Sequence, residues 1–244
     1  MEQRIAYAVL RPRPPKHPVP FTSPVLVFGS APSSHVPEGY DGSFPLITVN
    51  GSQSIAAGLG LPDPDVTFMT FNQIEGTNPN AVWVRSVLSG RRTGLLHILR
   101  WSRSDEDLHE GLARFNYGYD TLRKVSRYER IALFEAGVGR LNLETDQDAK
   151  FSNGLTAVLY AFHSGAPAVI ISGVNPGAEG HAYNDLNLSR RHSGTDRDTL
   201  LALKAKGLRL FTADPSVAEN LGLPLWRADS RETLTGSSAK QATE

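Results

Sequence analysis

Three short apolar runs early in the chain each stop at a small or polar residue, and this rhythm constrains the fold more than any other feature. Val25-Leu26-Val27-Phe28 stops at Gly29-Ser30, Pro45-Leu46-Ile47-Thr48-Val49 at Asn50, and Val66-Thr67-Phe68-Met69-Thr70-Phe71 at Asn72. Short apolar runs bounded by turn residues suit strands buried on both faces of a parallel sheet. Between the second and third runs, residues 51–60 predict a short helix rich in alanine, stopped by Gly60 and Pro62. In an open parallel sheet the ligand crevice lies outside the carboxyl ends of the strands, so Ser30, Asn50 and Asn72 would face it. Asparagine there offers donors and acceptors without charge. It also ends strands in ordinary turns, so each position has a purely structural reading as well.

The remaining chain continues the alternation. A helix is expected over 81–88 and a strand over 95–101, then a polar, aromatic segment over 104–140 with helix around 120–136. That segment reads either as an insertion or lid over the site or as an ordinary surface helix. The apolar run Leu155–His163 reads as a buried helix stopped by Ser164-Gly165. His163, in its last turn, reads as a helix-end cation. A strand over 168–172 follows, then a helix over 199–206, a strand over 208–211 and a short helix over 216–221. The sum is one Rossmann-like α/β domain over 25–230, a mostly parallel sheet flanked by helices. A proline-rich arm over 1–24 precedes it, and a polar tail from 231 to 244, low in apolar residues, reads as flexible.

Composition narrows the function. With 244 residues the chain can bury a substantial core. Lys+Arg and Asp+Glu are both 25, so the net charge of zero argues against coating nucleic acid. The absence of cysteine removes thiolate metal sites and cysteine nucleophiles. No run reaches the ~20 apolar residues of a membrane span, and the first residues lack a signal-peptide core. The expected location is the cytoplasm, with peripheral association at the inner face of a membrane still open.

Chemistry concentrates between Lys150 and Asp196. Ser152-Asn153-Gly154 precedes the apolar helix; such residues cap a helix start, and a helix start also attracts an anion. Lys150 adds positive charge at the same mouth. Gly29-Ser30-Ala31-Pro32-Ser33 offers backbone N–H groups after a buried strand but matches neither the dinucleotide fingerprint nor the P-loop. His192 lies in a polar loop, Arg190-Arg191-His192-Ser193-Gly194-Thr195-Asp196, and titrates near neutrality, so it is a candidate general base. His181, beside Gly180 and Tyr183, is the rival. Asp196 or Asp198 reads as the cap of the next helix. No metal-ligand spacing and no Gly-x-Ser-x-Gly elbow is present.

Together these residues resemble the bacterial sialyltransferases that build sialylated lipooligosaccharide. That family has Gly-Asn-Gly-Pro-Ser where this chain has Gly29-Ser30-Ala31-Pro32-Ser33, and Asn at the next two strand ends, as at Asn50 and Asn72. Its Arg-x-Thr-Ser-Gly stands where Lys150-Phe151-Ser152-Asn153-Gly154 stands here, and its Ser-Gly-Ile-Asp where this chain has Ser172-Gly173-Val174-Asn175. A loop Tyr and a His-Ser match Tyr183 and His192-Ser193, over about residues 25–225. The resemblance implies a Rossmann-like, metal-independent glycosyltransferase with a CMP-activated acidic sugar as donor, a glycan as acceptor and no separate cofactor. It implies His192 as general base and Tyr183 as phosphate contact. Gly29, Ser30, Asn50, Asn72, Lys150, Ser152, Asn153, Gly154, Gly173 and His181 would line the donor pocket. Two other readings share the outline: a pterin pyrophosphokinase-like or flagellin-modification-like diphosphate transferase needing Mg²⁺, and a non-catalytic nucleotide-binding protein.

Overall fold

The computed structural model describes residues 2–183 and 192–230. The tail from 231 and the loop residues Arg190 and Arg191 lie outside that range. Seven strands, β1 (Val25–Phe28), β2 (Leu46–Val49), β3 (Val66–Thr70), β4 (Arg92–Leu99), β5 (Gly118–Val125), β6 (Val169–Ser172) and β7 (Leu210–Thr212), form one sheet in the order β5-β4-β3-β2-β1-β6-β7. Every pairing is parallel. β1, β2 and β6 are buried at every residue, as strands covered on both faces must be. Alternate residues still divide between the faces: Val25 and Val27 join the larger core, Leu26 and Phe28 a second one.

Helices flank both faces. Those preceding β6 are α1 (Glu2–Leu10), α2 (Ser52–Gly58), α3 (Phe71–Glu75), α4 (Pro79–Leu88), α5 (Asp105–Ala113), α6 (Arg127–Val138) and α7 (Asn153–His163). α8 (Ser193–Ala205) and α9 (Pro215–Leu221) follow β6. α7 is the central one. Gly154 through Ala161 are all buried, which is why its sequence is apolar all round instead of striped. It packs against α6 and across β1, β2, β3 and β6.

Two expectations are corrected. Residues 104–140 are not a lid: they supply α5, the edge strand β5 and α6, so the sheet is wider than the reading of one continuous helix over 120–136 allowed. Asp120, Thr121 and Lys124 of β5 are exposed, and its polar composition hid the strand. Within the arm over 1–24, Glu2–Leu10 is helical and precedes the proline-rich stretch. His163 is no helix-end cation: burial, then the charge of Lys16, lower its pKa.

Strands run outward from β1 to β5 on one side, and the chain then returns to lay β6 against the other side of β1. The switch point is therefore the β1/β6 boundary, where a crevice opens at the carboxyl ends.

Candidate active site

Two glycines make that crevice. Gly29 ends β1 and Gly173 ends β6, and their backbones cross almost in contact. A Cβ on Gly29 would overlap the Gly173 carbonyl, and one on Gly173, whose φ is +65°, would come within 2.7 Å of the Gly29 oxygen. Only glycine fits both positions. The crossing is tied by Gly29 N–H to the Ser172 oxygen at 2.7 Å and Ala31 N–H to the Gly173 oxygen at 2.9 Å.

Above it lies a cavity of about 370 Å³. β1 and β6 contribute Gly29, Ser30, Gly173, Val174 and Asn175; the ends of β2 and β3 contribute Asn50 and Thr70. The approach to α7 supplies Lys150, Phe151, Ser152, Asn153 and Gly154, and the start of α8 supplies His192, Ser193 and Asp196. His181, Arg100, Arg130 and Glu144 complete the wall. The sheet brings together ten of the residues singled out from sequence: Gly29, Ser30, Asn50, Lys150, Ser152, Asn153, Gly154, Gly173, His181 and His192.

Two do not line it. β3 ends at Thr70, so Thr70 takes the strand-end position and Asn72 falls inside α3, where its Oδ1 accepts from Asn78 at 3.2 Å. Tyr183 stands behind His181, not on the cavity wall. Its ring stacks on His181 at 5.0 Å and lies where a Cβ on Gly51 would come within 3.0 Å of it, and its carbonyl accepts from the Trp83 indole. Gly51 leaves room for that ring. Asn50 holds φ +48° and accepts from Thr70 N–H at 3.2 Å, so its side chain ties two strand ends together. Asparagine tolerates this left-handed backbone better than most residues.

The helix-start reading of Ser152 holds. Its Oγ caps α7 by accepting from Leu155 N–H at 3.0 Å, and its own N–H donates to Asp196 Oδ1 at 2.9 Å. Asn153 and Gly154 then present the first two amides of α7, which have no acceptor within the helix. Together with the dipole they favour an anion in the cavity. Asp196 is thus a strut between α8 and α7, while the cap position of α8 belongs to His192.

Sequence reasoning missed the buried ion pair on the same wall. Arg130 donates to Glu144 at 2.6 Å and to Thr156 Oγ1 at 2.9 Å. It also donates to the Phe151 carbonyl and lies over the Phe151 ring at 3.8 Å. Burial lowers its pKa, and Glu144 opposes that. The available signal was an arginine amid the apolar run Ile131-Ala132-Leu133-Phe134, just after a Ser126/Glu129 capping box.

The two histidines differ. His181 Nδ1 shares a hydrogen bond with Ser30 Oγ at 2.7 Å. His192 Nδ1 is buried with no hydrogen-bond partner among the described residues. Burial, then the charge of Arg130, lowers the His192 pKa; Glu144 opposes this, and Lys150 and Arg100 add to it. At neutral pH the imidazole is therefore unprotonated and able to accept a proton. Among the described residues no group of three or more His, Asp or Glu side chains is arranged to hold a metal, and no helix is long and apolar enough to cross a membrane.

The chain shares its fold with bacterial sialyltransferases. A monofunctional α-2,3-sialyltransferase, Cst-I from Campylobacter jejuni, superposes with a TM-score of 0.57 at 14% identity, over 87% of this chain and 84% of that one. The Campylobacter jejuni sialyltransferase CstII bound to the substrate analogue CMP-3FNeuAc gives 0.54 at 14% identity, over 85% and 88%. CstII with a trisaccharide acceptor and CMP gives 0.53 at 14%, over 82% and 86%. No protein-family model matches the chain, and no curated protein matches its sequence.

Proposed function

We propose that the protein is a metal-independent glycosyltransferase that moves an acidic sugar from a CMP-activated donor to a glycan hydroxyl. The observation that carries this reading is the convergence of an anion-seeking helix start, Asn153 and Gly154 on α7, with an unprotonated His192 in one cavity at the switch point. The likeness in fold to proteins bound to CMP and a CMP-sugar analogue supports it.

In this mechanism the acceptor hydroxyl gives its proton to His192 as its oxygen bonds the anomeric carbon. The bond between that carbon and the phosphate oxygen breaks, and its electrons leave with CMP. Negative charge grows on the phosphate, so the amides of Asn153 and Gly154 and the ammonium of Lys150 stabilise the transition state more than the ground state. Lys150 is a point charge without the bidentate fork of an arginine, which gives the donor's anionic groups freedom to seat differently. Ser30, held by His181, lines the donor side.

Thermal unfolding with CMP in EDTA, set beside ATP with Mg²⁺, tests the reading. Stabilisation by CMP without metal, together with transfer from CMP-sialic acid or a related CMP-sugar, is expected. A response to ATP with Mg²⁺ alone would assign a diphosphate transferase instead, and no response to either would leave a fold without this chemistry.

A further inference from the structure

The N-terminal helix forms on the surface with none of its residues buried. Two side-chain hydrogen bonds tie it to α6: Tyr7 donates to Glu135 at 2.5 Å, and Gln3 accepts from Arg127 at 3.2 Å. Gln3 and Tyr7 are four residues apart and share one face; Ile5 and Val9, also four apart, lie on the other. Ile5 is 57% exposed, Val9 75% and Leu10 59%, and Val19, farther along the arm, 67%. These are four of the eight exposed large apolar residues among the described positions, gathered in the first twenty residues.

Charge is segregated in the same place. Between residues 2 and 20 stand Arg4, Arg11, Arg13 and Lys16 against the single anion Glu2, a net +3 in a chain whose total is zero. All four cations are exposed, and none has an ion-pair partner among the described residues. A second copy of this surface would bring two like-charged patches together, so charge argues against self-association through it. The complement of exposed apolar side chains interleaved with free cations is an anionic lipid surface.

We propose that α1 and the following arm, residues 2–19, bind the protein reversibly to membranes bearing anionic headgroups. Ile5, Val9 and Leu10 enter the interface while Arg4, Arg11, Arg13 and Lys16 meet the phosphates. Three apolar side chains are too few to hold the protein on a neutral bilayer, so both signals are required. The placement is useful to the cavity. Residues at the start of α1 share a groove with Asn142, Leu143 and Thr195, beside the segment that carries Glu144 and Lys150. Membrane contact through α1 brings the cavity wall near the lipid surface, whichever donor the cavity takes.

Co-sedimentation of the full chain with phosphatidylcholine vesicles, with and without about 30% phosphatidylglycerol, tests this. Binding is expected only to the anionic vesicles, with release in about 0.5 M salt. Arg11→Glu/Arg13→Glu should weaken binding about tenfold or more, and Ile5→Asp/Val9→Asp should weaken it similarly; both change exposed residues, and thermal unfolding verifies that they fold. Equal binding to neutral vesicles, no binding to either, or variants that bind like the parent would overturn the proposal. So would a concentration-dependent dimer in sedimentation velocity that Ile5→Asp/Val9→Asp dissolves, since the face would then belong to a second copy.

Discussion

His181 and His192 line the same cavity and are held in opposite ways. One nitrogen of His181 is engaged by Ser30 at 2.7 Å, and its ring is stacked on Tyr183. Such a ring is fixed in place and suited to shaping a pocket. His192 occupies the N-cap position of α8 without a side-chain capping bond, has a buried Nδ1 without partner among the described residues, and sits near the Arg130 charge that disfavours its protonation. Such a ring is kept neutral near pH 7, the form from which a general base must start. A histidine's role follows less from its being near a ligand than from which of its nitrogens is spent and which charges surround it.

The largest expected effect separates the two directly. His192→Ala should lower transfer from a CMP-sugar by about 10²- to 10⁴-fold, the usual share of a general base, with CMP binding nearly kept. Steady-state kinetics beside a CMP titration reads both, and a variant with full activity would hand the role to His181.

Next comes the wall that depresses His192. Arg130→Met leaves Glu144 buried without its cation and should cost about 3–5 kcal/mol in urea unfolding. Arg130→Met/Glu144→Leu should recover most of that stability, while the acid limb of the activity profile moves as the charges near His192 disappear. In the parent protein that limb should lie below the ordinary histidine pKa of about 6.5. With His192 as the proposed base, activity should be level near pH 7 and fall as pH drops through the lowered pKa. A limb above that value would contradict the burial-driven shift.

A third histidine sets the scale for burial without a role in the cavity. His97 is fully buried against Phe68 and Tyr160, and burial pushes its pKa down to about 3. The unfolded chain takes up this proton below about 6.5 and the folded one does not, so stability is full above that pH. It should decline by about 1.4 kcal/mol per unit between there and about 3. His97→Phe should flatten that part of the curve in unfolding measured against pH, and an unchanged slope would place the acid sensitivity elsewhere.

The smallest effect returns to the first comparison. His181→Ala frees Ser30 and removes the stack on Tyr183, and should raise the apparent KM for donor several-fold with kcat nearly kept. A collapse of kcat with unchanged KM would reverse the two assignments.

Residues of the candidate site were legible in proportion to how local their cause is. Ser152-Asn153-Gly154 could be placed because a capping residue and an apolar helical run adjoin in the chain, and the structure puts that cap where expected. Gly29 and Gly173 were found as strand ends, but their crossing joins backbones distant in sequence and became visible only with β6 laid beside β1. Asn72 does not end β3, because Phe71, apolar and continuous with the strand, starts α3. The β5 strand stayed hidden because an edge strand needs no continuous apolar run.

What the sequence by itself determined is the parallel α/β class, the central buried helix and the loops that hold the chemistry. Burial on both faces of a strand, or all round a helix, is written in consecutive residues, and no distant partner is needed to read it. Tertiary structure alone decided that Thr70 replaces Asn72 on the wall, that Arg130 and Glu144 pair within it, and that Ser30 engages His181 Nδ1 while His192 Nδ1 has no partner among the described residues. Those outcomes depend on distances and charges between segments far apart in the chain, and hydrogen bonding and protonation respond to such distances while hydrophobic periodicity does not.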